Sequence, residues 1–256
     1  MVKVAFTERN EKKYASKLVE ADKEKYTFYC PNPKCRTEMS LAIYENYSNT
    51  FKANMKGKEH KEKCWARNSE LNQEYSTNDY NTRDFIEKLI SSKSNKKNNQ
   101  SETGSNHKNK HAKLSTLKDI FIYCRTHDVD ENIQGEYIRN IFLDDRNMNF
   151  FNNVGVYGYK ILSPTLIKYH LNDSKKVYKM SFKYGNIPGV LTFKNKSIMK
   201  SVLKKLDLYS SRKPKDIRNV IATEWETKKD EDGKLKSIEG KIFNTKQIID
   251  VSSYEI

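Results

Sequence analysis

Three cysteines and one histidine stand at the spacing of a metal site: Cys30-Pro-Asn-Pro-Lys-Cys35, then His60-Lys-Glu-Lys-Cys64. The pattern is C-x4-C-x24-H-x3-C, two short-range ligand pairs that the chain has to bring together. Zinc takes four such ligands in a tetrahedron, and a site with every position filled by protein is structural rather than catalytic. The prolines favour a tight turn in the first pair. The four-residue spacing of the second puts both side chains on one face of a helical turn. Cys30, Cys35, His60 and Cys64 are therefore expected to hold one structural Zn²⁺. The plain alternative is three ordinary thiols and a solvated histidine.

The second chemical signal is charge. The chain has 256 residues and a formal net charge of +15, and residues 175–218 alone carry thirteen basic and two acidic side chains. The cations are Lys175, Lys176, Lys179, Lys183, Lys194, Lys196, Lys200, Lys204, Lys205, Arg212, Lys213, Lys215 and Arg218. Such density favours a polyanionic partner, because each phosphate contact releases a counterion. Tyr178, Phe182, Tyr184, Phe193 and Tyr209 are interleaved with these charges. Exposed rings beside lysines make a stacking platform for unpaired bases, and Tyr178 and Tyr184 are the candidates for it. The same alternation also describes any half-buried strand, with lysines outward and rings in the core. Nine arginines against 39 lysines point to backbone recognition rather than base readout, for which bidentate arginine is the usual tool.

Weaker signals read as structural. Cys124-Arg-Thr-His127 lacks a second ligand pair, His107 and His111 sit in a polar stretch, and His170 ends an apolar run. Glu226-Thr-Lys228 has the form a Mg²⁺-dependent nuclease needs on a strand. However, Glu11, Glu59, Asp173, Asp232 and Glu239 also have lysine two residues on, so the motif carries little information. Neither a glycine-rich phosphate loop nor a Gly-x-Ser-x-Gly elbow is present.

The elements that must position these residues fall into two domains. Residues 92–113 are rich in Ser, Asn and Lys and too poor in apolar residues to offset the entropy of ordering, so they read as a flexible basic linker. Residues 1–91 form the zinc-binding, zinc-ribbon-like domain: a helix-compatible stretch at 8–20, strands at 25–29 and 39–44 around the first cysteine pair, and a helix capped by Asn81. Residues 114–256 form an α+β domain with a mainly antiparallel sheet. It opens with helical spacing at Leu114–Cys124 and Ile133–Phe142. Strands at 177–184, 190–194, 220–227, 234–243 and 247–251 follow, with a helix at 197–208 among them. No apolar run of bilayer length and no signal-like apolar segment occurs, which leads to the expectation of a cytoplasmic protein with no membrane partner.

The run over Tyr26–Trp65, a strand ending in Cys-Pro, a second Cys, a β-rich spacer and His-x3-Cys, resembles the N-terminal zinc module of CoiA-like competence proteins. That family's first knuckle is usually C-x2-C; here two further residues intervene. The resemblance implies DNA-related work in Gram-positive-type bacteria, in some members with a restriction-type nuclease fold attached. Together the signals give a non-enzymatic nucleic-acid-binding protein, with single-stranded DNA first and RNA second. The alternatives are an adaptor or inhibitor from a phage or mobile element, docking on an acidic protein surface, and a metal-dependent nuclease.

Overall fold

The computed structural model describes residues 2–32, 34–44, 49–53, 59–61, 64, 66, 75–91, 112–208 and 217–254. They form two compact units, one from residues 2–76 with 112–113 and 254, the other from residues 77–91 with 114–253. The architecture is α+β with mainly antiparallel sheets, and a Cys/His cluster lies in the N-terminal unit.

The N-terminal unit opens with β1 (Val4–Thr7) and β2 (Lys12–Tyr14), then a short 3-10 turn at Ala15–Lys17 and α1 (Asp22–Lys25). The helix expected over 8–20 is thus a hairpin. Asn10 takes the left-handed conformation at φ 59, which a helix excludes and an asparagine turn accepts. Next come β3 (Phe28–Tyr29), β4 (Glu38–Ala42) and β5 (Thr50–Lys52), in the antiparallel order β2-β1-β3-β4-β5. Val2 pairs with Phe51, so the first strand meets the last and the sheet curls round its core. Alternation fills the inside with Ala5, Phe28, Met39, Leu41 and Phe51, and the same cluster holds Cys30, Cys35 and Cys64. A parallel pair of two-residue strands, β6 (Tyr75–Ser76) and β7 (Ala112–Lys113), joins the two ends of the unit. Residues 112–113 are thus paired backbone, while 92–111 of the expected linker lie outside the described residues.

The second unit begins with α2 (Thr82–Ser91), whose Asp84 N–H is accepted by the Asn81 side chain at 3.0 Å, as its sequence suggests. This helix packs on β11 and β15 of the second unit, defined below, so the boundary placed at residue 91 lies instead near residue 76. α3 (Leu117–Thr126) carries a capping box between Thr116 and Asp119. The helix expected over 133–142 is mostly a hairpin, β8 (Asn132–Ile133) and β9 (Glu136–Tyr137). Gln134 and Gly135 turn it at φ 51 and 88, values no helix accommodates. α4 (Ile138–Ile141), β10 (Phe142–Leu143) and α5 (Met148–Val154) follow.

The core of this unit is a closed barrel. β11 (Gly158–Leu162) and β12 (Thr165–Asn172) are halves of one strand broken at Ser163-Pro164. β13 (Val177–Tyr184) and β14 (Ile187–Phe193) continue the meander, α6 (Lys196–Lys205) crosses over, and β15 (Asn219–Lys229) and β16 (Leu235–Ile242) complete it. The path runs β12-β13-β14-β16-β15-β11 with β10 added in parallel beyond β11; β11 and β12 follow one another in the chain and Thr165 bridges to Arg218 just before β15, so the sheet meets itself. β14 and β16 are parallel, and the other neighbours on this path are antiparallel. A five-stranded Greek-key barrel with this order is the OB type, whose second and third strands bind oligonucleotides or oligosaccharides in many proteins. β17 (Ile248–Asp250) adds to the free end of β15.

Large rings fill the barrel. Phe182 and Trp225 meet edge to face at 5.6 Å between centroids. Glycine stands opposite each: a Cβ at Gly189 would lie 2.1 Å from the Phe182 ring, and one at Gly240 2.8 Å from the Trp225 ring. From α6, Met199, Val202, Leu203 and Leu206 close the interior as part of the same core. α2 and α3 lie against β11, β15 and β17, where the outward-facing Ile161, Val220 and Ala222 are buried. Over β12, β13 and β14 the outward positions Lys168, His170, Lys179, Lys183, Pro188 and Thr192 are exposed.

Candidate metal centre and barrel surface

The β3–β4 hairpin builds the first half of the cluster. Cys30 follows directly after β3, and its N–H is accepted by the Thr37 carbonyl at 2.8 Å. The two residues beyond a C-x2-C knuckle are absorbed by Asn32. Its side-chain oxygen accepts the Lys34 N–H at 3.0 Å, and its carbonyl accepts the N–H groups of Cys35 and Arg36 at 2.9 and 3.1 Å. Arg36, at φ 49, turns the chain into β4. In the second half the Cys64 N–H is accepted by the Lys61 carbonyl at 3.0 Å. Thr37 ties the halves together by donating to the Glu59 carbonyl at 3.0 Å.

All four ligand atoms lie within 4.8 Å of one another, so Cys30, Cys35, His60 and Cys64 can hold a metal ion. The three shortest separations are consistent with zinc. Bonds of about 2.3 Å to sulfur and about 2.0 Å to nitrogen give tetrahedron edges of about 3.8 Å between sulfurs and about 3.5 Å between sulfur and nitrogen. Cys30 and Cys64 sulfurs are 3.5 Å apart, and His60 Nδ1 is 3.6 Å from Cys35 and 3.5 Å from Cys64. Outer donors point at the sulfurs: the Lys61 N–H at Cys35 (3.4 Å) and the Asn32 amide at Cys64 (3.5 Å). Burial pushes the Cys30 and Cys64 thiols up. Burial would raise Cys35 too, but bonds from the Thr37 hydroxyl, the N–H groups of Lys61 and Thr37, and His60 outweigh it and hold that thiol at about 6. A thiolate is thus favoured where a cation would meet it.

The cations expected to form one face are divided by the barrel. Lys179 and Lys183 point outward from β13, and Lys175 and Lys176 sit in the β12–β13 turn. Lys194 is exposed after β14, Lys196 is ion-paired with Asp173, and Arg218 is exposed where its backbone bridges to Thr165. Lys200 and Lys204 project from the side of α6 that faces away from the barrel. Lys205 donates to the carbonyls of Thr245 and Ile248 at 3.0 and 2.6 Å, and desolvation of its ammonium lowers its pKa; it ties α6 to the start of β17. Arg212, Lys213, Lys215 and Tyr209 lie outside the described residues.

The rings do not form an outer platform on this barrel. Tyr184 is 1% exposed, with its hydroxyl donating to Asn147 Oδ1 at 3.0 Å and to the Asp144 carbonyl at 3.2 Å. Phe182 and Phe193 are buried and Tyr178 is packed against the same core. The expectation that Tyr184 stacks on bases is corrected, and Tyr178 is half-buried against the same core: in β13 the even-numbered positions face the interior and the lysines face out.

Strand pairing adds residues that the sequence reading missed. Lys168 and His170 lie beside Ser181 and Lys179, and Lys241 lies beside Thr192. Two rows therefore cross the wall, Lys168–Ser181–Val190–Glu239 and His170–Lys179–Thr192–Lys241. A bulge between Leu166 and Lys168 breaks the alternation that would have marked β12. Glu226 stands on the neighbouring wall, paired with Lys228 at 2.6 Å and directly across from Glu239. Cys124 and His127 are structural: Cys124 is buried, and the His127 ring stacks on Tyr123 at 3.8 Å. Among the described residues no helix is long and apolar enough to cross a membrane. No family model, curated protein or solved structure matches the chain.

Proposed function

We propose that this protein binds single-stranded nucleic acid, without catalysing a reaction, through the outer wall of its barrel, and that a structural zinc ion pins its N-terminal unit. The observation that carries the reading is a lysine-rich wall over β12, β13 and β14 that helices leave uncovered, on a barrel of the type that binds strands there. Lys168, Lys179, Lys183 and Lys241, with Lys175 and Lys176 in the adjoining turn, meet the phosphates. Lysine is a mobile point charge, which suits sequence-independent contact with a flexible backbone. The resemblance of the Cys/His run to CoiA-like modules agrees with work on DNA.

Zinc would be held by Cys30, Cys35, His60 and Cys64, and its chemistry is that of a cross-link between the β3–β4 hairpin and the segment at residues 60–64. With four protein ligands no position remains for substrate. A small unit of this kind, with twelve buried core residues among those described, gains much of its stability from such a bond. The test is binding of labelled DNA and RNA oligonucleotides, single- and double-stranded, over a range of salt. Tight, salt-sensitive binding of single strands is expected, and salt-independent or absent binding overturns the reading.

A further inference from the structure

The N-terminal unit carries its own ring-bearing surface. On the outward side of its sheet, Phe6 lies directly across from Tyr29 on one side and Lys12 on the other, and Val4 lies across from Tyr14. These positions are half-buried rather than sealed, while the inner side is filled by Ala5, Phe28, Met39, Leu41 and Phe51. The rings on the outside are not members of this core. Cations attend them: the Lys12 and Lys17 ammonium groups stand 5.5 and 5.4 Å from the centre of the Tyr14 ring, and the Arg36 guanidinium 5.5 Å from that of Tyr29. Lys52 and Glu38 lie on the same side.

We propose that this surface is a second contact for an unpaired nucleic-acid strand, in which bases stack on Phe6, Tyr14 and Tyr29 while Lys12, Lys17 and Arg36 take the phosphates. The inference rests on the strand-binding reading above and assigns base contacts to the zinc unit. The chemistry is complementary in both respects. Every base has a π-face, so a ring cluster is sequence-tolerant, and a base on an aromatic ring is a stronger contact than an exposed cation over it. Cations displaced from the rings remain within side-chain reach of the backbone phosphates that accompany the bases. Two weak surfaces on one chain also strengthen each other through effective concentration.

The test uses the full chain loaded with zinc, oligo(dT) and oligo(U) strands, and the variants Tyr14→Ala/Tyr29→Ala and Tyr14→Phe/Tyr29→Phe. The alanine pair is expected to weaken single-strand binding at least about tenfold, and the phenylalanine pair to leave it intact, since the stacking ring is retained. Oligonucleotides bearing 5-iodouracil are expected to photocrosslink to Tyr14 or Tyr29 in the unaltered protein, a readout that does not depend on the variants folding. If Lys168→Gln/Lys179→Gln/Lys183→Gln abolishes binding while the alanine pair binds normally and crosslinks fall only within residues 158–242, this inference fails and the barrel reading stands. If the unaltered protein binds neither strand, both fail.

Discussion

Replacing Lys168, Lys179 and Lys183 with glutamine tests the barrel wall directly. All three are exposed and share the outward face of the adjacent strands β12 and β13. Each contact with a single strand contributes about 0.7 to the slope of log K against log salt, so losing three makes the slope shallower by about 2. Relative to 1 M salt, where the electrostatic contribution is small, that is about a hundredfold loss of affinity at 0.1 M. Fluorescence anisotropy with a labelled oligonucleotide between 0.05 and about 0.4 M salt measures both quantities in one experiment. The control is Lys200→Gln/Lys204→Gln, which removes charge from the side of α6 turned away from the wall. Its slope should match the unaltered protein. Equal losses per charge removed in the two variants would mean that only net charge matters, and the wall would have no special part in binding.

The metal site gives a second expectation. With zinc stripped, Cys35 should be alkylated first at pH 7, because its thiol is held at about 6 while burial raises Cys30 and Cys64; peptide mass spectrometry reads the order. Since the folded value lies below that of a free thiol, the stability Cys35 contributes to the metal-free unit is present above about pH 8.5 and lost as pH falls through about 6. In the barrel, Gly189→Ala forces a methyl group into the Phe182 ring and should cost about 1–3 kcal/mol, seen as a lower thermal midpoint. Tyr184→Phe strips a buried hydroxyl from Asn147 and the Asp144 carbonyl and should cost about 1–3 kcal/mol in a denaturant melt. Oligonucleotide affinity of the folded protein should remain unchanged in that variant.

What the sequence revealed followed from period and spacing. Tyr178, Met180, Phe182 and Tyr184 alternate with polar residues, and β13 runs over the whole of that stretch. The cap at Asn81 and the ligand spacing from Cys30 to Cys64 are likewise local facts, and the structure reproduces both. Alternation alone does not say which side faces a core. The position of α6 inside the β13–β14 curve turned the rings inward and left the lysines out. Helix α2 was legible as a helix but not in its allegiance, which depends on a docking surface provided by β11 and β15. The closed barrel was illegible for the same reason: β11 is short, β12 carries a bulge, and neither advertises that they are one strand. At the metal site, the Asx turn at Asn32 explains after the fact why four residues separate the first two cysteines.

The way the barrel closes bears on how the protein is made. Trp225 donates its indole N–H to the Lys160 carbonyl across 65 positions of chain, and β15 is the partner on that edge of β11. During synthesis, β12, β13 and β14 can pair soon after leaving the ribosome, but both ends of that meander stay open until β15 and β16 have emerged. Open edges of apolar strands are templates for joining other chains. The exposed lysines along β13 then serve the nascent chain as well as the finished one, since like charges on neighbouring copies resist edge-to-edge association while the missing strands are being translated.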